Sequence, residues 1–391
     1  MQHTPHAPDT SELAPASFAQ QRLWFLAQLP GANEAYNEPI AFTLRGPLDQ
    51  PLLGRALDAL VARHEVLRTR LLAVDGEVLQ RVDPPDTGFA LRVDDLTGLP
   101  DAEARLDALR TQEVSTPFDL ARGPLCRGRL VTLAPERHVL LLTMHHTIFD
   151  GQSMNVMMRE LGTVYGALLG GGGDPLPPLP LQYADHARAQ RARVLGGELA
   201  AQADHWRETL HDAPPLTVPP TDRPRPAEQD LRGGRVEFTL DADLTAALRA
   251  LARRHGSTLF VAVLTGWTLL MSRLSGRDDV VVGTPTSNRP RGDAAGLIGF
   301  FVNSLPLRVD LADTPTAAEA LGRVRGVLRA ALDHQDLPLE RIVELANPPR
   351  SAAHTPLFQT MCAWQPEWAP RRASPPPPGR ASASTRRCTN S

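Results

Sequence analysis

Two adjacent histidines with an aspartate and a glycine close behind them, His145-His146-Thr147-Ile148-Phe149-Asp150-Gly151, are the residues here whose types and spacing suit acid–base chemistry. They close an apolar run, Val139-Leu140-Leu141-Leu142-Thr143-Met144. A run that is apolar at odd and even positions alike reads as a central strand buried on both faces. Successive side chains on a strand point to opposite faces, so His145 and His146 cannot both enter one cleft. One imidazole faces a pocket and the other packs inside the fold. Asp150-Gly151 then reads as a turn, and Ser153 as the cap of a helix with Val156, Met157, Leu161 and Val164 on its apolar side. A lone histidine at a strand end is usually structural. Histidine, aspartate and glycine coinciding at a strand-to-helix junction favour a base site.

Composition sets the frame around that cluster. With 391 residues the chain suffices for two domains or one bilobal unit. A net charge of −3 gives no reason to expect a nucleic-acid or membrane partner. Every one of the 41 basic residues is arginine, which we read as the mark of a GC-rich gene. Cys126, Cys362 and Cys388 are widely spaced and match no metal-ligand pattern, so a reducing, cytoplasmic setting is expected. The N-terminus has no apolar signal core, and the apolar stretch Leu259 to Met271 is short for a bilayer.

Going along the chain, residues 1–13 are polar and aperiodic and read as disordered. A first lobe over 14–170 mixes helices (Ser17 to Leu29, Leu52 to His64, Glu103 to Glu113) with strands (Asn37 to Leu44, Val66 to Leu72, Val78 to Val82, Leu125 to Leu133, His138 to His145). That mixture argues for an α/β architecture of the α+β type, a sheet covered by helices. Residues 171–232 read as a connection containing a polar helical stretch and a proline-rich segment. A second lobe over 233–368 opens with a strand at Arg235 to Leu240. Helices follow, capped by Asp241 and by Ser257 or Thr258, and Leu357 to Trp364 reads as a further strand. Residues 369–391 are rich in arginine and proline and carry no acid. They read as disordered, or as the product of a shifted reading frame.

With these stretches laid out, the chain resembles a condensation domain of non-ribosomal peptide synthetases from about Ser17 to Gln359. SFAQQRLWFL (Ser17 to Leu26), RHEVLRTRL (Arg63 to Leu71), MHHTIFDGQS (Met144 to Ser153) and YADHARAQ (Tyr183 to Gln190) resemble the first four motifs of that family. IGFFVNSL (Ile298 to Leu305), HQDLPLERIV (His334 to Val343) and HTPLFQ (His354 to Gln359) resemble the last three. His186 stands where an aromatic residue is commoner. The resemblance implies two chloramphenicol-acetyltransferase-like lobes in a V around a central tunnel. It implies amide formation between a donor thioester and an acceptor amine, both carried on the phosphopantetheine of partner carrier proteins. No metal or other bound cofactor is expected. The implied partners are donor and acceptor carrier proteins, adenylation domains and other synthetase subunits.

The same resemblance makes His146 the histidine of the tunnel, as base or as positioning group, and leaves His145 a supporting role. Asp150 reads as a structural acid, because a buried carboxylate needs a partner. Arg289 is the candidate partner across the lobes, with Arg291 its rival. Gly151 lets an incoming arm approach the backbone, or is an ordinary turn residue. Asn303 and Ser304 line the acceptor side, or bond along a strand edge. Arg63, His64 and Arg68 read as ion pairing within the first lobe.

The alternatives are an epimerisation domain or another HHxxxDG acyltransferase, a cyclisation domain, and an inactive remnant or carrier-binding module. The histidine pair counts against cyclisation, and NSLPLRVD after IGFF favours condensation. The remnant reading arises because the second lobe is expected to be truncated after HTPLFQ. With no carrier or adenylation text following, partners are expected in trans.

Overall fold

The structure, a computed structural model, describes residues 13–29, 31–227, 229–230, 233–289, 292–365 and 384–387. The chain forms two compact units. Unit 1 comprises Met1–Ala192, Arg289–Phe301 and Glu367–Ser391; unit 2 comprises Arg193–Asn288 and Val302–Pro366.

In unit 1, β1 (Leu13–Pro15) leads into α1 (Phe18–Leu26), α2 (Ala32–Ala35) and β2 (Asn37–Arg45). Next come α3 (Gln50–Arg63), β3 (Thr69–Val74), β4 (Glu77–Val82), β5 (Leu91–Asp95) and α4 (Ala102–Ser115). β6 (Cys126–Ala134), β7 (Arg137–His145), α5 (Gly151–Leu169) and α6 (Tyr183–Leu195) follow, and α6 contains the boundary with unit 2. β1, β4 and β3 pair in that order as a small antiparallel sheet. The larger sheet has β7 at its centre, flanked by β2 and β6; β5 joins β6 in parallel, and β10 (Ser384–Arg387) lies outside β2.

β7 is the central strand its sequence implies. Leu140, Leu142 and Met144 enter the main core of unit 1, while Val139 and Leu141 pack with Leu96, Leu106 and Val131 in a second cluster. One alternating strand therefore serves two apolar layers. In the main core α3 presents Leu53, Ala56, Leu57, Leu60 and Val61, and α5 presents Val156, Met157, Leu161 and Val164. Each such buried leucine, valine or methionine contributes roughly 1.5–3 kcal/mol.

Unit 2 contains α7 (Ala200–Thr209), α8 (Ala242–Arg254), α9 (Leu259–Ser275), β8 (Asp279–Thr286), β9 (Asn303–Asp310), α10 (Ala317–Asp333) and α11 (Leu339–Ala346). β8 and β9 form an antiparallel pair, and Val280, Val281, Val282, Leu305, Leu307 and Val309 are buried among the helices. Asp241 caps α8 and Thr258 caps α9. No single described helix is long and apolar enough to cross a membrane.

Several expectations need correction. The 171–232 connection is not one region, because unit 1 runs through Ala192. Arg289–Phe301, assigned from sequence to the second lobe, also packs in unit 1. The strand expected from Val66 starts at Thr69; Val66 and Leu67 sit in a 3-10 turn, Glu65–Arg68, that buries both. Arg235 to Leu240 keeps its alternating text but forms no strand, and Val236 and Phe238 are exposed. Leu357 to Trp364 makes only a bridge from Met361 to Gly283, since Leu357 takes a left-handed φ of 67° that interrupts extended backbone. Within 369–391, Ser384–Arg387 pairs with β2 where no regular structure was expected; the rest of that tail, with Cys388, lies outside the described residues. The disorder expected over 1–13 fails at Leu13, which pairs with Arg81 as the start of β1; the rest of that stretch and the rival arginine, Arg291, lie outside the described residues.

Candidate active site

At the end of β7 the backbone turns through a single 3-10 turn, His146–Ile148, before α5. The turn settles which histidine goes where. His145 is fully buried beside the rings of Tyr36 and Phe118. Its Nδ1 accepts from the backbone N–H of Thr147 at 3.2 Å and lies 2.8 Å from Thr147 Oγ1. Burial, with the neighbouring His146 as a smaller cause, pushes its pKa down to about 3. His145 is a neutral structural imidazole.

His146 faces out. Its side chain is 27% exposed, its ring lies 4.6 Å from that of Phe300, and its backbone N–H donates to Tyr36 O at 2.8 Å. Nδ1 is 2.7 Å from the carbonyl oxygen of Phe149. A carbonyl only accepts, so Nδ1 carries a proton, and in the neutral ring Nε2 is the nitrogen with the lone pair. Glu38 of β2 approaches Nε2 to 3.5 Å.

Asp150 sits beneath. It, and not Ser153, caps α5: its Oδ1 accepts from the Ser153 N–H at 2.7 Å. A serine at the cap reads plausibly from sequence, but the aspartate stands at the last extended position and Ser153 is already inside the first turn. Gly151 is accordingly helical and exposed, not part of a separate turn. Asp150 is 1% exposed, and Arg289 Nη2 reaches its Oδ1 at 2.8 Å. The pair was expected to cross between lobes; Arg289 belongs to unit 1, so the link is internal to it. Arg289 also donates to Leu297 O at 2.6 Å and lies 4.3 Å over the Phe301 ring.

Ser153 and Gly299 complete the support; Ser153 was read from sequence only as a cap, and Gly299 was not singled out. Ser153 Oγ accepts from Arg289 Nη2 at 2.7 Å and from Gly299 N–H at 3.0 Å. Its proton has Asp150 Oδ1 and Gly299 O, each at 2.8 Å, as acceptors. Phe301 N–H donates to Asp150 Oδ2 at 3.1 Å. A Cβ on Gly299 would stand 2.2 Å from Tyr183 Cδ2, which is why this position in IGFF has no side chain. Tyr183 donates to Phe300 O at 2.7 Å, and His186 packs 4.7 Å from Phe301. From α1, Gln20 Nε2 donates to Thr147 O at 3.1 Å, which ties the SFAQQ motif to the histidine turn.

The remaining candidates have structural partners. His64 Nε2 and Arg63 Nε reach Glu160 at 2.7 and 3.2 Å. Burial raises the Glu160 carboxyl, and the hydrogen bond from His64 together with nearby arginines more than offsets it, holding its pKa low. Arg68 lies 3.7 Å from Glu65. Asn303 and Ser304 belong to unit 2. The Asn303 amide is committed there to Gln335 O and Leu337 O, each at 2.8 Å, and to the N–H groups of Ser304 and Leu339, each at 3.0 Å. That use is structural, and its buried amide has no capacity left for substrate. Among the described residues no group of three His, Cys, Asp or Glu could hold a metal ion.

A histidine with a free Nε2, fixed by a capped helix and a buried ion pair, can hold or take a proton. The profile of the condensation domain family matches residues 10–375. The chain belongs to this family. Condensation domains form peptide bonds as acyltransferases of non-ribosomal peptide synthesis, act on carrier-bound substrates, and work alongside carrier proteins and adenylation domains. Malpinin synthetase of Mortierella alpina is 47% identical over 351 residues, 90% of this chain. The chain spans about 4% of that synthetase's length. Among solved structures, the complex of the X-domain and OxyB from teicoplanin biosynthesis is similar, with a TM-score of 0.81 at 31% identity, covering 96% of this chain and 80% of that one. The first condensation domain of the calcium-dependent antibiotic synthetase, at 23% identity, shares the fold with a TM-score of 0.76, covering 95% of this chain and 84% of that one.

Proposed function

We propose that this condensation domain joins a carrier-bound donor acyl group to a carrier-bound aminoacyl acceptor, with His146 as the working histidine. An acceptor amine has a reference pKa near 8 and attacks only when unprotonated. His146 Nε2 takes or holds that proton while the nitrogen adds to the thioester carbonyl. The C–N bond forms, the C–S bond breaks, and the thiolate leaves protonated. Confinement of both arms adds proximity. His145, Asp150 and Arg289 act as scaffold, and Gly151 leaves the start of α5 free of side chain.

The observation that carries this reading is the 2.7 Å contact of Nδ1 with Phe149 O, which leaves Nε2 uncommitted to the backbone on a ring that is 27% exposed. His146→Ala is expected to abolish dipeptide formation from loaded carrier proteins, or to lower it by about 10²–10⁴ as loss of a general base does. Unchanged yield would remove His146 from the mechanism.

A second reading is a non-catalytic docking module. It rests on the similarity to an X-domain that was solved with OxyB, at 31% identity against 23% for the calcium-dependent antibiotic domain. Absence of product with every loaded carrier pair, alongside tight binding of a partner protein, favours it.

A further inference from the structure

The residue opposite the free nitrogen has no role in the scaffold. Glu38 lies on β2 across from Met144, beside the Asn37–His145 pair. Its Oε1 comes within 3.5 Å of His146 Nε2, and its side chain is 41% exposed, so carboxylate and imidazole open on the same solvent-facing spot. Because Nδ1 is held by Phe149 O, a neutral His146 presents Nε2 as an acceptor, and a protonated one presents Nε2–H as a donor to Glu38. An ionised carboxylate also only accepts. With the ring neutral, two acceptors therefore lie 3.5 Å apart and share an unmet need for a donor.

Among the described residues, His145 and Arg289 supply none. His145 is neutral above about pH 3. Arg289 is committed to Asp150, Ser153 and Leu297. Tyr36, whose pKa burial raises against the influence of Arg22, gives its carbonyl to the His146 N–H. What satisfies both Oε1 and Nε2 is a small cation with more than one N–H, lying beside the pair and donating to each.

Building on the reading of His146 as the working histidine, we propose that Glu38 is a positioning residue for the nucleophile, receiving the acceptor as its ammonium and holding that nitrogen against Nε2. One ammonium N–H donates to Glu38 and another to His146. Proton transfer to Nε2 frees the amine, and Glu38 then pairs with the imidazolium. The amine nitrogen adds to the thioester carbon, and the C–S electron pair leaves on sulfur. The imidazolium proton goes to the thiolate and the second amine proton to solvent. The protein thereby captures the abundant protonated form of the acceptor near neutral pH and deprotonates it in place.

The test is Glu38→Gln, which keeps shape and removes charge at a half-exposed position. With a soluble aminoacyl thioester as acceptor, KM for the acceptor is expected to rise roughly two- to fivefold at about pH 7, the range of a partly exposed ion pair. KM for the donor stays unchanged. The defect shrinks towards pH 9, where the amine is mostly free. A defect equal at all pH values, or confined to kcat, overturns the proposal. Binding separates this result from failure of the catalytic reading. The wild-type chain is titrated with glycyl-pantetheine amide and with its N-acetyl derivative, neither of which can be turned over without a donor. Preference for the free ammonium in the wild type, lost in Glu38→Gln, supports the role of Glu38 even if no amide is formed. Equal affinity of the wild type for both analogues refutes it.

Discussion

Replacing Arg289 by alanine isolates the contribution of the buried pair beneath the histidine turn. Asp150 has no exposed side-chain surface and Arg289 keeps 10%. Removing the guanidinium leaves the fully buried Asp150 side chain without its counter-ion. Truncating one partner of a buried pair costs about 3–5 kcal/mol. Three donors remain on the carboxylate, namely the Ser153 N–H, the Ser153 hydroxyl and the Phe301 N–H, and they offset part of that charge. The loss should therefore fall at the low end, about 3 kcal/mol. A second substitution sharpens the test. Asp150→Asn in the Arg289→Ala background removes the orphaned charge and is expected to recover about 1–2 kcal/mol. The assay is urea unfolding with hydrogen exchange read on peptides from β7 and the start of α5, which reports on unit 1. Amide formation should fall with it, since Asp150 follows directly on the carbonyl that fixes His146. A loss below about 1 kcal/mol for Arg289→Ala, or no recovery in the double variant, would refute the view that this pair supports the site.

Gly299→Ala should destabilise unit 1 by about 3 kcal/mol, because a Cβ 2.2 Å from the Tyr183 ring forces that ring or the Phe300–Phe301 backbone to move; a melting temperature within a degree of wild type would show that the contact relaxes freely. Acid should weaken the fold through His145. Its folded pKa lies well below the unfolded value, so this stabilising term is complete above about pH 6.5 and is lost as pH falls towards 3, at about 1.4 kcal/mol per unit. By pH 5 the wild type should have lost about 2 kcal/mol more than His145→Gln relative to pH 7; parallel stability curves would contradict the buried neutral state. The loss of product in His146→Ala should occur with an unchanged melting temperature, because that ring is partly exposed; a large drop in melting temperature would recast it as structural.

Much of the site was legible because it is local. The run Val139 to Met144 reads as a doubly buried strand and is one. Alternation allowed only one of His145 and His146 to face a pocket. The need of a buried carboxylate for a partner pointed to Arg289, which is where the structure finds it. What local pattern cannot carry is register and return. Glu38 meets His146 only because β2 pairs with β7 opposite Met144, and nothing in Asn-Glu-Pro-Ile announces that register. The return of Arg289–Phe301 to unit 1 was missed for a related reason: the segment has its own strand neighbours on both sides, and its true partners are remote in sequence. The cap was misassigned because serine and aspartate are both good capping residues, so composition alone leaves a choice that backbone geometry makes. Arg235 to Leu240 shows the limit from the other side. Alternation there describes a strand in need of a neighbour, and no neighbour pairs with it among the described residues.

The return of Arg289–Phe301 also orders events in time. Asp150 precedes its arginine by 139 residues, most of which belong to unit 2. At roughly 5–20 residues per second, translation leaves the carboxylate without its counter-ion for about ten seconds or more. For most of that interval the residues of β7, the histidine turn and α5 have been synthesised, but not the Gly299 and Phe301 backbone that bonds to them. A ribosome-stalled chain ending before Arg289 should therefore display an acid-capped helix still open to solvent and to chaperones. The chemistry of the site is written early in the polypeptide, and its closure waits on a segment made only after much of the other unit has left the ribosome.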